Sequence, residues 1–162
     1  MGMKELSSAS FRNIPIDGKV EDFMDQLSNL DYYVSDWEGL RKYFSGTWVG
    51  FQIHGVVYYS IVTHTVYRIE IYFEQVSEAE SLKDMYFRLR DLFAKKWGWY
   101  SVDYTNNSDS ECCHYEYMVE DTGEVVTWYF GIDDTDVVLS YTSEENKKIA
   151  EKEQNEALLA EL

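Results

Sequence analysis

The stretch SEAESLKDMYFRLRDLFAKKWG, residues 77–98, decides the fold. Leu82, Met85, Tyr86, Leu89, Leu92, Phe93 and Trp97 recur at steps of three and four, which gathers them on one face of a helix. Ser77 with Glu80 three residues on forms a capping-box pattern. Lys95 and Lys96 complement the dipole of the last turn, and Gly98 follows as a stop. The cations Lys83, Arg88, Arg90, Lys95 and Lys96 stand out in an acidic chain. The apolar stripe nevertheless assigns this helix to packing, with its cations neutralising nearby acids. A face this wide needs a sheet or helices to cover, and the segments on either side read as strands.

Upstream, residues 11–16 (FRNIPI) read as a short strand with Pro15 suited to an edge, and Asp17-Gly18 as a turn. A first helix over 19–30 follows, with Val20, Phe23, Met24, Leu27 and Leu30 on one face and Gly18 or Asp17 as its cap. Residues 32–37 suggest a strand and 38–46 a connection, in which Leu40, Tyr43 and Phe44 allow one helical turn. Strands are expected at 48–53, 56–62 and 66–73, with His54-Gly55 turning the chain and a tight turn near 63–65. In the last strand Tyr67, Ile69, Ile71 and Phe73 alternate with Arg68, Glu70 and Tyr72. Downstream, 99–104 looks extended, 105–111 is a polar loop, and 112–119 and 125–132 form a hairpin through EDTGE. DDTD at 133–136 then turns into a strand at 137–141. Thr142 with Glu145 opens a charged third helix carrying i,i+4 pairs such as Glu144–Lys148. Its ALLAEL end is expected to be loosely held.

The same unit, a helix followed by about four strands, is thus used at 18–74 and again at 77–142. The expected fold is α+β: a curved antiparallel sheet with both amphipathic helices on one face and the other face open. Residues 1–142 form a single domain and 143–162 a helical tail.

Composition narrows the function. Lys and Arg number 14 against 30 Asp and Glu, a formal net charge of −16. That excess repels phosphate backbones and anionic lipid, so nucleic acid and membrane are not expected partners. The adjacent Cys112 and Cys113 do not form a disulfide framework. No apolar run resembles a signal or a membrane span, and a cytoplasmic protein is expected.

Two resemblances bear on this layout. The opening F-x-x-I-P-I-D-G (Phe11, Ile14, Pro15, Ile16, Asp17, Gly18), followed by Phe23 and Leu27 on a helix, resembles a recurrent start among small uncharacterised proteins of gut bacteria. It implies a bacterial source and no activity. The doubled helix-plus-strands unit resembles the architecture of beta-lactamase inhibitor proteins, which bind their target with a concave, aromatic-rich sheet. Those proteins are secreted and disulfide-bonded, and this chain shows neither feature, so the target does not carry over.

Motifs that carry chemistry are missing: there is no phosphate loop, dinucleotide fingerprint or nucleophile elbow. Cys112-Cys113-His114 lacks zinc spacing and reads as a strand start. Asp133, Asp134 and Asp136 lack the glycine and glutamate of a calcium loop, and the register of Asn107, Asp109 and Glu111 puts Met118 where a ligand is required. No metal or cofactor is expected. Alternation assigns Trp48, Gln52, Arg68, Glu70, Tyr72, His114, Glu116, Thr127 and Tyr129 to the open face. Aromatics beside arginine are what binding hot spots use. The expected function is therefore a non-enzymatic binding or protein-interaction module whose contact residues are Trp48, Arg68, Tyr72 and Tyr129. The alternatives are a hydrolase pairing Glu70 with Glu116 within about 10 Å, or a homodimer formed through the sheet face.

Overall fold

The computed structural model describes residues 10–16, 18–35, 41–75, 81–97, 112–118, 125–133 and 136–162. Side chains at 10, 94, 96, 97, 112–118, 125–129, 132 and 133 lie outside what it describes. The expected strand at 99–104, loop at 105–111 and turn at 120–124 also lie outside it. In chain order the elements are β1 (Ser10–Phe11), β2 (Ile14–Pro15), α1 (Val20–Asn29), β3 (Tyr33–Val34), β4 (Arg41–Trp48), β5 (Phe51–Tyr59), β6 (Val66–Phe73), α2 (Leu82–Trp97), β7 (Cys112–Met118), β8 (Val125–Asp133), β9 (Asp136–Ser143) and α3 (Glu144–Ala160).

Strands β3 to β9 form one antiparallel sheet in the order β3-β4-β5-β6-β9-β8-β7. The fold is α+β. Each half is a meander, and the halves meet at β6 and β9, where Ile69 pairs with Tyr141 and Ile71 with Leu139.

Register defines the two faces. Ile53 and Val57 of β5 stand in rows with Phe73 and Ile69 of β6 and with Val137 and Tyr141 of β9, and between these rows Ile71 and Leu139 lie in line with Gly55. All of these side chains are buried. Both amphipathic helices reach this face. Phe23 of α1 meets Phe44 edge-on at 6.3 Å. On α2, Tyr86 stacks on Phe130 at 4.9 Å, and Phe93 contacts Phe73 and Phe130. Each buried ring contributes about 1.5–3 kcal/mol, so this aromatic layer is a main source of stability.

Several expectations are corrected by the register. Residues 48–53 are not one strand. Trp48 ends β4 and pairs with Phe51 across a two-residue turn in which Val49 and Gly50 have φ of 49° and 84°. That turn satisfies the twist of the hairpin. β5 then runs unbroken through His54-Gly55, which is not a turn. Gly55 is there because the ring of its cross-strand partner Phe44 lies across it, and a Cβ would sit 2.1 Å from that ring. Residues 41–46, expected in a connection, belong to β4, which is half-exposed and so lacks a clear alternation. β1 and β2 form a small hairpin turned by Arg12 and Asn13, both at positive φ, in place of one strand. Phe11, Ile14 and Ile16 all enter the core.

The helix starts move as well. Ser81 accepts from the Asp84 amide at 3.1 Å at the start of α2; Ser77 and Glu80, the expected capping box, lie outside the described residues. At α3 the cap is Ser143, which accepts from the Asn146 amide at 3.2 Å. Thr142 lies within β9, one residue ahead of the cap, and its hydroxyl accepts an N–H from Arg68 at 3.2 Å. α1 starts after Lys19 with no side-chain cap. α3 lies beside the turn at 60–65: Asn146 donates to the Val66 carbonyl, and Ala150 is buried. Beyond it Leu158, Leu159 and Leu162 are exposed.

Candidate functional site

The face opposite α1 and α2 is built by the alternate residues of the same strands. Arg41 pairs with Tyr58 and Tyr58 with Arg68; Val56 pairs with Glu70; His54 pairs with Tyr72. Arg68, Glu70 and Tyr72 then face Thr142, Ser140 and Val138 on β9. Val56, Val138, Ser140 and Thr142 are buried although they lie on the face away from α1 and α2. The short side chains form a floor and the long ones stand over it.

Glu70 is the hub. The Tyr58 hydroxyl donates a short hydrogen bond to Glu70 Oε1, the Tyr72 hydroxyl donates to Oε2 at 3.3 Å, and the Arg68 guanidinium donates to Oε2 at 3.2 Å. Arg68 also donates to Thr142 Oγ1. The Glu70 side chain is only 13% exposed and that of Arg68 34%. This pair is therefore less screened than a surface ion pair. Burial first, then the Glu70 hydrogen bond and charge, push the Tyr58 phenol far above its ordinary range. The Arg41 and Arg68 guanidinium groups lie over the Tyr58 ring at 4.9 and 5.8 Å. His54 stacks on Tyr72 with centroids 5.0 Å apart and planes 4° apart, and its Nδ1 lies 3.7 Å from the Glu74 carboxylate.

Of the residues selected from the sequence, Arg68, Glu70 and Tyr72 are brought together here, and Gln52 is exposed on the same side. Trp48 is not on this face. It stacks on Phe73 and Phe93 at 5.8 Å and meets Phe11 edge-on at 5.0 Å, on the helix side. The two-residue turn reset the parity, so Trp48 and Phe51 share a side. Tyr67, expected to face the helices, is the extra residue where β6 slips against β5 (Tyr58 opposite Arg68, Tyr59 opposite Val66). Its ring meets Tyr58 instead. Tyr129, by register, stands opposite Ser140 and His114, and Glu116 stands opposite Thr127. The side chains of Tyr129, Glu116, His114 and Thr127 lie outside the described set.

Sequence reasoning missed Arg41, His54 and Tyr58. They were hidden by reading 38–46 as a connection and His54-Gly55 as a turn. The signal that could have found them is the run Phe51, Ile53, Gly55, Val57, Tyr59, an unbroken period of two once glycine is allowed in it. Of the α2 cations, Arg90 stands 4.0 Å from the Asp91 carboxylate, as the neutralising role expects, and two of them also meet rings: Arg88 lies over Phe51 at 4.5 Å and Arg90 over Phe87 at 4.6 Å. These two cover aromatic rings with their guanidinium groups.

Among the described residues no three His, Cys, Asp or Glu side chains gather to hold a metal ion. Among them, too, no helix is long and apolar enough to cross a membrane. Comparison with protein-family models, with curated proteins and with solved structures gives no match.

Proposed function

We propose that this protein is a binding module that docks a protein partner on the sheet face carrying Arg41, His54, Tyr58, Arg68, Glu70 and Tyr72. The observation that carries the reading is the Glu70 hub. One carboxylate holds two phenols and a guanidinium in place before any partner arrives, which lowers the ordering cost of association. Tyrosine and arginine in such an arrangement are the side chains that dominate interface energies. The net charge of −16 argues for a protein rather than a nucleic acid.

The test is quantitative. A partner captured on the wild-type chain is titrated by calorimetry against Arg68→Ala, Tyr72→Ala and Tyr129→Ala, with circular dichroism confirming the fold. At least a tenfold loss, about 1.4 kcal/mol, is expected for Tyr72→Ala. Unchanged affinity in all three variants would remove the proposal. A second copy of the chain is one possible partner, and sedimentation over a range of concentrations distinguishes it. The paired-carboxylate alternative gains no support from the register. β9 and β8 lie between the strands of Glu70 and Glu116, about 14 Å at ordinary strand spacing, and Glu70 is already shared among three donors.

A further inference from the structure

The turn at 60–65 joins three parts of the chain. His64, at φ 63°, donates its amide to the Ser60 carbonyl at 2.7 Å, and its own carbonyl accepts from the Val20 amide at 2.9 Å. That carbonyl satisfies one of the amides that α1, lacking a side-chain cap, would leave open. The His64 ring bonds the Glu21 carboxylate in the first turn of α1. Lys19 Nζ reaches the Thr63 carbonyl, the Val66 amide donates to the Gly18 carbonyl, and Lys19 bridges to Thr65. From the other side, Thr63 Oγ1 donates to Glu153 of α3 at 3.1 Å.

We propose that this turn is an acid-weakened clasp: protonation of Glu21 removes the charged contact with the His64 ring and loosens the first turn of α1, while its backbone bonds to the turn, the sheet and α2 stay in place. Among the described residues, the charged and titratable groups facing Glu21 are His64 on the turn, Lys19 ahead of the helix and Tyr59 on β5. Glu153 of α3 reaches the same turn. Loss of the Glu21 charge weakens its contacts with the His64 ring and with Lys19 together, so the carboxylate is the group that loosens the clasp. Burial works to raise the Glu21 carboxyl. The His64 hydrogen bond, a backbone hydrogen bond and the His64 and Lys19 charges outweigh burial and hold it below its ordinary value. A carboxylate depressed by folding contributes stability that is present above its ordinary value and is lost as pH falls through the folded one.

Amide exchange by NMR on the full chain, corrected for intrinsic chemistry, tests the clasp. Between about pH 6.5 and about pH 3.5, protection at Phe23, Met24 and Leu27 should fall about threefold to fivefold relative to Met85 and Leu89 of α2. Glu21→Gln should lower α1 protection already at neutral pH and abolish the relative acid response. Glu153→Gln should keep that response. If α1 and α2 lose protection in step, or if Glu21→Gln still responds to acid, the clasp does not exist.

Discussion

β6 presents two faces made from neighbouring residues. On one side Ile69, Ile71 and Phe73 are buried beneath the helices; on the other, Arg68, Glu70 and Tyr72 are only partly covered. Both sides are rich in aromatic rings. Towards the helices, Phe73 lies against the rings of Trp48, Phe51 and Phe93, and Phe51 also carries a guanidinium, that of Arg88. On the opposite side, rings are tied to charges: Tyr58 and Tyr72 to Glu70, and Tyr58 under Arg41 and Arg68. Aromatic content by itself therefore does not distinguish a core face from a contact face. The difference lies in whether polar side chains hold the rings in place at a half-wet surface.

The largest expected effect comes from crossing that boundary by one residue. Phe73→Ala should cost about 3–5 kcal/mol in urea unfolding, because it leaves a cavity among three rings. Tyr72→Ala, next in sequence on the other side, should cost only about 1 kcal/mol. Equal costs would show that the two faces are not energetically distinct. Glu70→Gln comes next, at about 1–3 kcal/mol, since the amide cannot satisfy two phenols and a guanidinium as the carboxylate does. It also has a pH signature. The Tyr58 phenol is raised in the folded state, so its stabilising contribution is complete below about pH 10, the ordinary tyrosine value. It is lost as pH rises towards the folded value, because the unfolded chain ionises first. Glu70→Gln should shrink that alkaline loss without abolishing it, burial being the larger cause. The smallest effect is a gain. Val49 is a β-branched residue at φ 49° in the β4–β5 turn, and Val49→Asn should raise stability by up to about 1 kcal/mol. No gain in the unfolding midpoint would mean that Val49 is relieved by contacts of its own.

The parts of the fold legible in the sequence are those governed by local periodicity. Met85, Tyr86, Leu89 and Phe93 of the α2 stripe are buried as their spacing requires, and so are Val20, Phe23, Met24 and Leu27 of α1, whereas Leu92 and Leu30, expected on the same faces, are exposed. The alternation of Ile69, Ile71 and Phe73 against Arg68, Glu70 and Tyr72 also holds. The misreadings share one cause. Trp48, Tyr67 and the His54-Gly55 pair each stand where a turn or a bulge changes parity, or where a glycine interrupts the visible alternation. A single unrecognised two-residue turn moved Trp48 from the core to the proposed contact face. Half of the site was readable as Arg68, Glu70 and Tyr72. Arg41, His54 and Tyr58 were not, because their strands were divided in the wrong places.

By itself the amino-acid sequence determined the class of the fold, the two packed helices and the charged third one, because periods of two and 3.6 are local geometry. Only the tertiary structure decided which residues stand together away from the helices. The β6–β9 seam brings Arg68 to Thr142 across 74 positions, and the Glu70 hub draws Tyr58 from another strand. Those contacts depend on strand register, and register is settled by turns and by distant pairing that no local pattern encodes.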